Sequence, residues 1–556
     1  MLFPAAPGRK SRVTAKCCQS YPSRVTAQEG NATDSYQPAV GTTDSYEIDG
    51  ETRVPWVLGT QLHPEAGPLR RASEGSRVLL VEAHEFARRK PYHHDKLTLI
   101  FSSMRHFRDE LREAGYEVVY IQAPTFGDGL AMFFERYPET TLVAMRSPSH
   151  GSGERLRELA TEAGGDLELV ENELFVSTRQ AFDEWANDAD VDPFTHENFY
   201  RWMRRETGVL MDGEDPVGGE WNFDDRNREF PPPEWEPPAV FEPPVDEMTG
   251  AVSDWVAETF ETWGEAGEFV WPVTREGALA RLEQFLDHRL PEFGPYQDAM
   301  LADEWAMAHS LLSPSINVGH LHPWEVTKAV ERAAVDNPSL ALNSVEGVIR
   351  QLLGWREFMR HVYRHAMPGL AGANQLGATE SLPEFYWSGD TEMRCLSESV
   401  GDVRERGYSH HIQRLMVLAN FATLWGVQPS ELNEWFHATY VDAYHWVTTP
   451  NVVEMGQYGD GVFATKPYVS SASYVDRMSD YCGGCRYDPD QDTGENACPF
   501  NALYWDFLAR NEDHLRSNHR MGLMYSHVDT KRENGDLETI RERVETLRQR
   551  ADEEGL

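Results

Sequence analysis

Lysine is nearly missing from this chain. There are seven (Lys10, Lys16, Lys90, Lys96, Lys328, Lys466 and Lys531) against 44 arginines, and 91 acidic residues leave a net charge of −40. That balance excludes a generally basic nucleic-acid coat, but not a local basic groove, because binding depends on where charges sit. An acidic, lysine-poor surface suits concentrated salt, where the Debye length shrinks to about 3 Å at 1 M. The composition therefore predicts a salt-rich, halophilic cytoplasm. No run of 18 apolar residues occurs, which excludes a membrane-spanning helix, and no apolar stretch near Met1 reads as a secretory signal. A cytoplasmic protein is expected. GxGxxG is absent, and with it the Rossmann fingerprint. Cysteine is scarce: Cys17 and Cys18 lie in a polar stretch, leaving Cys395, Cys482, Cys485 and Cys498. In a reducing compartment, four spaced cysteines point to a metal more than to disulfides.

What is present suffices for several cores: 556 residues, 40% hydrophobic and 11% aromatic. Two to four domains are expected. Residues 1–50 repeat SRVTA (11–15, 23–27) and TDSY (33–36, 43–46) without apolar periodicity, and read as a disordered extension. From 51 to 175, short β-branched runs (54–62, 77–86, 116–123, 141–146, 166–171) alternate with helical stretches (97–114, 130–136, 153–164). Such alternation predicts an α/β domain with a doubly wound parallel sheet. Residues 176–247 read as an interdomain helix and a proline-rich linker. From 248 to 470 strand signals vanish, predicting a large all-α domain. A cysteine-bearing segment (471–530) and a charged tail (531–556) follow.

Four motifs carry chemistry. CGGC (482–485), Cys498 followed by Pro499, and the distant Cys395 supply four thiolates, enough for tetrahedral Zn²⁺ or an iron–sulfur cluster. One CxxC pair with two single cysteines favours [4Fe–4S] over a zinc ribbon, which would show two pairs. In HSLLSPSINVG (309–319), Ser310 and Ser313 bracket a turn at a helix start, where hydroxyls and free N–H groups can hold phosphate; a plain capped helix has the same appearance. Trp355, Arg356 and Glu357 lie in an apolar helix, as a structural ion pair or as part of a site. In SHHIQRLM (409–416), His410 and Arg414 share a helix face, His411 lies about 100° round, and Asp442 of YVDAY is the expected partner of Arg414.

Taken in order, SLLSPSINVG, GWREF, HHIQRL and YVDAY behind an α/β domain resemble the photolyase/cryptochrome superfamily. The four cysteines, with RMSDYCGGCRYDP and NACPFNALYWDFLARN, resemble its iron–sulfur branch, the prokaryotic (6-4) photolyases and cryptochrome-like proteins. The resemblance covers about 54–530. It implies FAD in the helical domain 248–470 and a ribityl-lumazine antenna, 6,7-dimethyl-8-ribityllumazine, in 51–175, with Glu85 near the antenna pocket. Cys395, Cys482, Cys485 and Cys498 would ligate [4Fe–4S] in 471–530. Ser310, Leu311, Leu312 and Ser313 would hold the FAD pyrophosphate, Arg356 would lie near the flavin, and Arg414 with Asp442 would pair beside it. His411, with His410 next to it, matches the histidine that moves a proton to the lesion. Trp387 and Trp435 match the electron relay. Tyr468, Lys466 and Tyr474 match the lesion-facing loop.

The resemblance implies light-driven repair of (6-4) pyrimidine–pyrimidone photoproducts by electron transfer from reduced FAD. UV-damaged DNA would be the partner, held by arginines such as Arg510, Arg516 and Arg520, with no membrane and a monomer. A cryptochrome-like blue-light photoreceptor with the same cofactors is the alternative, and a zinc-containing nucleic-acid-binding module is disfavoured by the flavin motifs. Three positions depart from the pattern: Phe436 stands where relatives carry Tyr, Thr448 where an acidic residue is expected near the flavin, and the first strand ends GTQL rather than GDQL.

Overall fold

The computed structural model describes residues 38–43, 45–188, 192–265, 267–553 and 556. The paired cysteines Cys17 and Cys18, the SRVTA repeats, and most of the expected extension lie outside the described residues. Residues 45–50 and 38–43 do not fit that expectation. Val40 is buried and pairs with Ser177, and Tyr46 lies under the Arg71 guanidinium at 3.9 Å.

Five strands form the first domain: β1 (Arg53–Val57), β2 (Arg77–Ala83), β3 (Glu117–Ala123), β4 (Thr141–Met145) and β5 (Asp166–Val170). All neighbours are parallel, in the order β3-β2-β1-β4-β5. The order reverses between β1 and β4, so the sheet is doubly wound and opens a crevice at their carboxyl ends. Helices α1 (His94–Glu113), α2 (Phe126–Arg136) and α3 (Ser152–Glu162) are the crossovers. Central β1 and β2 are buried on both faces, which is why their sequences read as unbroken apolar runs.

Beyond the sheet domain the regular structure is mainly helical. The elements that matter here are α4 (Ser313–Val318), α5 (Arg394–Arg406), α6 (Pro429–Thr439), α7 (Ala472–Met478), α8 (Pro499–Arg510) and α9 (Asp536–Glu553). Residues 531–556 are not a free tail: α9 packs on α8, and Leu537, Ile540, Val544 and Leu547 are buried in the same core as Trp435 and Phe500.

Two buried charges join the domains. Glu357 accepts N–H bonds from Val176 (3.0 Å) and Ser177 (3.1 Å) at the start of the linker, and the Ser177 hydroxyl at 2.9 Å. Lys96 of α1 donates to the carbonyls of His437 and Ala443, both at 2.6 Å, at the end of α6. Burial pushes this lysine down to about 7. The isolated strand pair Tyr92–His93 with Thr262–Trp263 runs alongside.

Candidate functional site

The deepest part of the site is an ion pair. Arg414 and Asp442 meet in parallel, Nη1–Oδ1 and Nη2–Oδ2 both at 3.1 Å, the bidentate geometry that makes such pairs strong. Asp442 also accepts the Ser313 hydroxyl at 2.7 Å, and its backbone carbonyl accepts Asn317 Nδ2 at 2.9 Å. Arg414 Nε donates to the Ser409 carbonyl at 2.7 Å, and the guanidinium lies over Tyr440 (4.3 Å) and Tyr408 (5.0 Å). Burial opposes the charge, but Asp442 outweighs it and Arg414 stays above its ordinary value. The turn 310–313, with Leu311 at φ +57°, leads into α4 beside this pair.

Next to it two imidazoles stack, His309 on His410, centroids 4.7 Å apart and 16° from parallel. Both are buried, and burial drives His410 well below its ordinary value and His309 to about 3. Both nitrogens of His410, Nε2 of His309 and the Ser315 hydroxyl have no protein partner among the described residues. Buried polar atoms of this kind call for a polar occupant, and a flavin fits that requirement.

His411 faces the other way. Its side chain keeps 54% of its surface accessible. Nε2 is 4.0 Å from Asp298 Oδ1. Burial, Arg350 and Arg414 hold it down to about 4. Asp298 goes the opposite way, to about 6, because burial outweighs Arg228. Tyr474 donates to Asp298 at 3.4 Å, and Arg228 Nε lies 3.9 Å away. Asp224, paired with Arg350, acts electrostatically on both His411 and Tyr468. Tyr468 is 41% exposed on the loop between Gly456 and α7. Sequence reasoning missed Asp298, Asp224 and Arg228. Asp298 and Arg228 stand in no motif, and Asp224 and Arg228 come from the linker that read as a mere connection.

The four cysteines come together. Cys395 opens α5, Cys482 and Cys485 follow α7, and Cys498 precedes α8, with Pro499 at its first turn. All are free thiols and line one apolar cavity with Ala472, Val475 and Tyr481. Burial raises Cys395 well above its ordinary value and Cys482 and Cys498 to about 12. Among the described residues no three His, Cys, Asp or Glu are arranged to hold a metal ion. Four thiols lining one apolar cavity are a donor set of the kind that can hold an iron–sulfur cluster or zinc.

Other expected residues have mixed placements. Trp435 is fully buried, donates to the Tyr386 carbonyl at 2.9 Å and packs on Tyr440. Phe436 stacks on Tyr440 at 5.0 Å. Trp387 meets Trp263 at 6.1 Å. Thr448 is buried. Arg356 lies over Phe175 (4.4 Å) and Trp446 (5.1 Å), and burial lowers it to about 10. Glu85 accepts the Phe126 N–H at 3.1 Å and so caps α2. Two arginines expected at the DNA are engaged within the protein. Arg510 is spent on the carbonyls of Leu424 and Trp425 where a helix ends, and Arg516 is paired with Glu512 and Asp529. Arg520 does reach the loop, bonding the Thr465 hydroxyl.

Comparison with known proteins gives the family. Residues 55–271 match the family described as deoxyribodipyrimidine photo-lyase-related protein. The fold is similar to a bacterial class III photolyase from Agrobacterium tumefaciens (TM-score 0.54, 17% identity, 87% of this chain and 99% of that one). It is also similar to a Synechocystis cryptochrome (TM-score 0.53, 16% identity, 78% and 87%). The chain belongs to the photolyase/cryptochrome superfamily. Among its relatives in sequence is the (6-4) photolyase of Agrobacterium fabrum, 42% identical over 481 residues, which are 84% of this chain and 94% of the relative.

Proposed function

We propose that this protein is a DNA photolyase that repairs (6-4) photoproducts in a light-driven reaction. One observation carries the reading: the accessible His411 lies beside Asp298, which Tyr474 hydrogen-bonds, close to the Arg414–Asp442 pair. The 42% identical relative is named for this activity. Family membership implies FAD, and reduced FAD, when bound, supplies the light-driven electron. The unpaired nitrogens of His309 and His410 and the turn 310–313 would hold it, with Arg356 near it and the Arg414 charge favouring an anionic flavin.

The chain's own work is positioning and protonation. The lesion requires a group to migrate between two bases, with a proton given and recovered. His411 is the donor at Nε2, and Asp298, 4.0 Å away, is a neighbouring carboxyl beyond direct hydrogen-bond reach. In the free protein His411 is neutral at pH 7; a DNA polyanion bound beside it favours the imidazolium. General acid–base help of this kind is worth about 10²–10⁴ in rate. A flipped lesion costs less to unstack than a normal pair, which favours damage over intact duplex, and Tyr468 and Lys466 would receive it. Trp435 and Trp387 would relay electrons to the flavin. Cys395, Cys482, Cys485 and Cys498 would hold [4Fe–4S], and the crevice domain with Glu85 would take a ribityl-lumazine antenna.

The test is turnover. Purified protein carrying FAD is illuminated with blue light in the presence of a (6-4)-containing duplex, and restored bases are counted. Restoration is expected. A flavin that photoreduces normally while no lesion is restored would replace this reading with that of a blue-light photoreceptor.

A further inference from the structure

The lesion-facing loop has no regular secondary structure from 458 to 471, a length that ordinarily means mobility. A single buried carboxyl holds its base. Glu454 is fully buried on the helical turn Pro450–Gly456. Its Oε2 accepts the N–H groups of Asp460 (2.9 Å) and Gly461 (3.0 Å), and its Oε1 those of Phe463 and Ala464, both at 3.1 Å. Gly461 presents its N–H from the left-handed region, φ +72°, where glycine carries no steric penalty. Among the described residues no ion pair balances Glu454, so backbone dipoles do that work.

The position is an expensive one for a carboxyl. Burial, together with the adjacent Asp460, pushes Glu454 up to about 7, a cost that an apolar residue would avoid. What the carboxyl provides is a fixed path for the chain. Phe463 is set edge-on against Trp355 and Phe358, at 6.0 and 5.6 Å. At the far end Asn420 grips Ser470 in both directions, accepting its N–H at 3.1 Å and donating to its carbonyl at 3.0 Å. Between the two clamps lies a short tip, tied to the C-terminal region by Asn518 on the Thr465 carbonyl (2.8 Å). This tip carries Lys466 and the exposed Tyr468.

We infer that Glu454 is a positioning residue for lesion recognition: it folds 460–464 around its carboxyl and thereby presents Lys466 and Tyr468 preordered to damaged DNA. Order fixed before binding does not have to be acquired at the moment of binding. This rests on the repair reading, because the loop must face the lesion.

The experiment compares wild type, Glu454→Gln and Glu454→Ala, each carrying FAD. Alanine leaves four N–H groups without an acceptor; glutamine keeps one acceptor oxygen for two of them. Affinity for a (6-4) duplex is expected to fall in the order wild type, Gln, Ala, with Ala weaker by at least about tenfold. FAD content, photoreduction and single-turnover repair of fully bound DNA should stay near wild type. Amide hydrogen exchange on wild type should find 460, 461, 463 and 464 protected, and this reading stands even if the alanine variant does not fold. Equal lesion affinity in all three proteins, or unprotected amides at these positions in wild type, would overturn the inference. Wild type that binds no lesion duplex at all would instead overturn the repair reading.

Discussion

Replacing Asp442 with alanine strips Arg414 of its bidentate partner and Ser313 of its acceptor at once. Removing one member of a buried pair costs about 3–5 kcal/mol, because the remaining charge stays buried. Arg414 retains the Ser409 carbonyl and the faces of Tyr440 and Tyr408, and its side chain is 27% exposed. Those contacts place the expected loss at the low end, about 3 kcal/mol. Asp442→Asn keeps an acceptor but no charge, and should cost roughly half of that. Urea unfolding followed by tryptophan fluorescence reads the stability, and FAD per chain after gel filtration reads the site. Both should drop together in Asp442→Ala. A loss under about 1 kcal/mol, the range of exposed pairs, with FAD fully retained, would refute the claim that this pair is buried and flavin-directed.

His411→Ala should keep FAD, photoreduction and lesion binding yet restore (6-4) lesions at least about a hundredfold more slowly; near wild-type repair would remove its acid role. Cys395→Ala should lose iron and loosen the region of α7 and α8, read by metal analysis and hydrogen exchange; stoichiometric zinc without iron in anaerobically purified wild type would contradict the cluster assignment. Asp298→Asn tests a buried acid. Asp298 titrates near 6 when folded, against about 3.9 unfolded. It favours the folded state below about pH 4, and that advantage disappears as pH rises through 6. The asparagine variant should therefore gain about 3 kcal/mol at pH 7–8 and nothing at pH 3, measured by urea unfolding at each pH.

Some of the lesion side was legible in the sequence and some was not. His411 could be singled out because HHIQR puts two imidazoles and a guanidinium within one helical turn, a spacing that composition alone rarely produces. Asp298 could not, since a lone aspartate in YQDAM has no local signal; its meaning comes from His411, 113 positions away in the chain, lying 4.0 Å from it. The resemblance implies Arg510 as one of the arginines that hold the DNA. The structure gives it to the open carbonyls where a helix ends, a demand that only the packed neighbour creates.

By itself the sequence determined the α/β-then-helical order, because period-2 and period-3.6 apolar patterns are local properties of the chain. It also determined that four of the six cysteines lie late in the chain with one CxxC pair among them, and that Arg414 and Asp442 are chemically matched. Only the tertiary structure decided which groups meet. It brought Cys395 to Cys482, Cys485 and Cys498, set Arg228 and Asp224 of the proline-rich linker near Asp298 and His411, docked the charged C-terminal segment as α9, and buried Glu454 against four amides of a loop. These are long-range juxtapositions, fixed by packing and by the need to satisfy every buried polar group, and neither requirement leaves a periodic trace in the sequence.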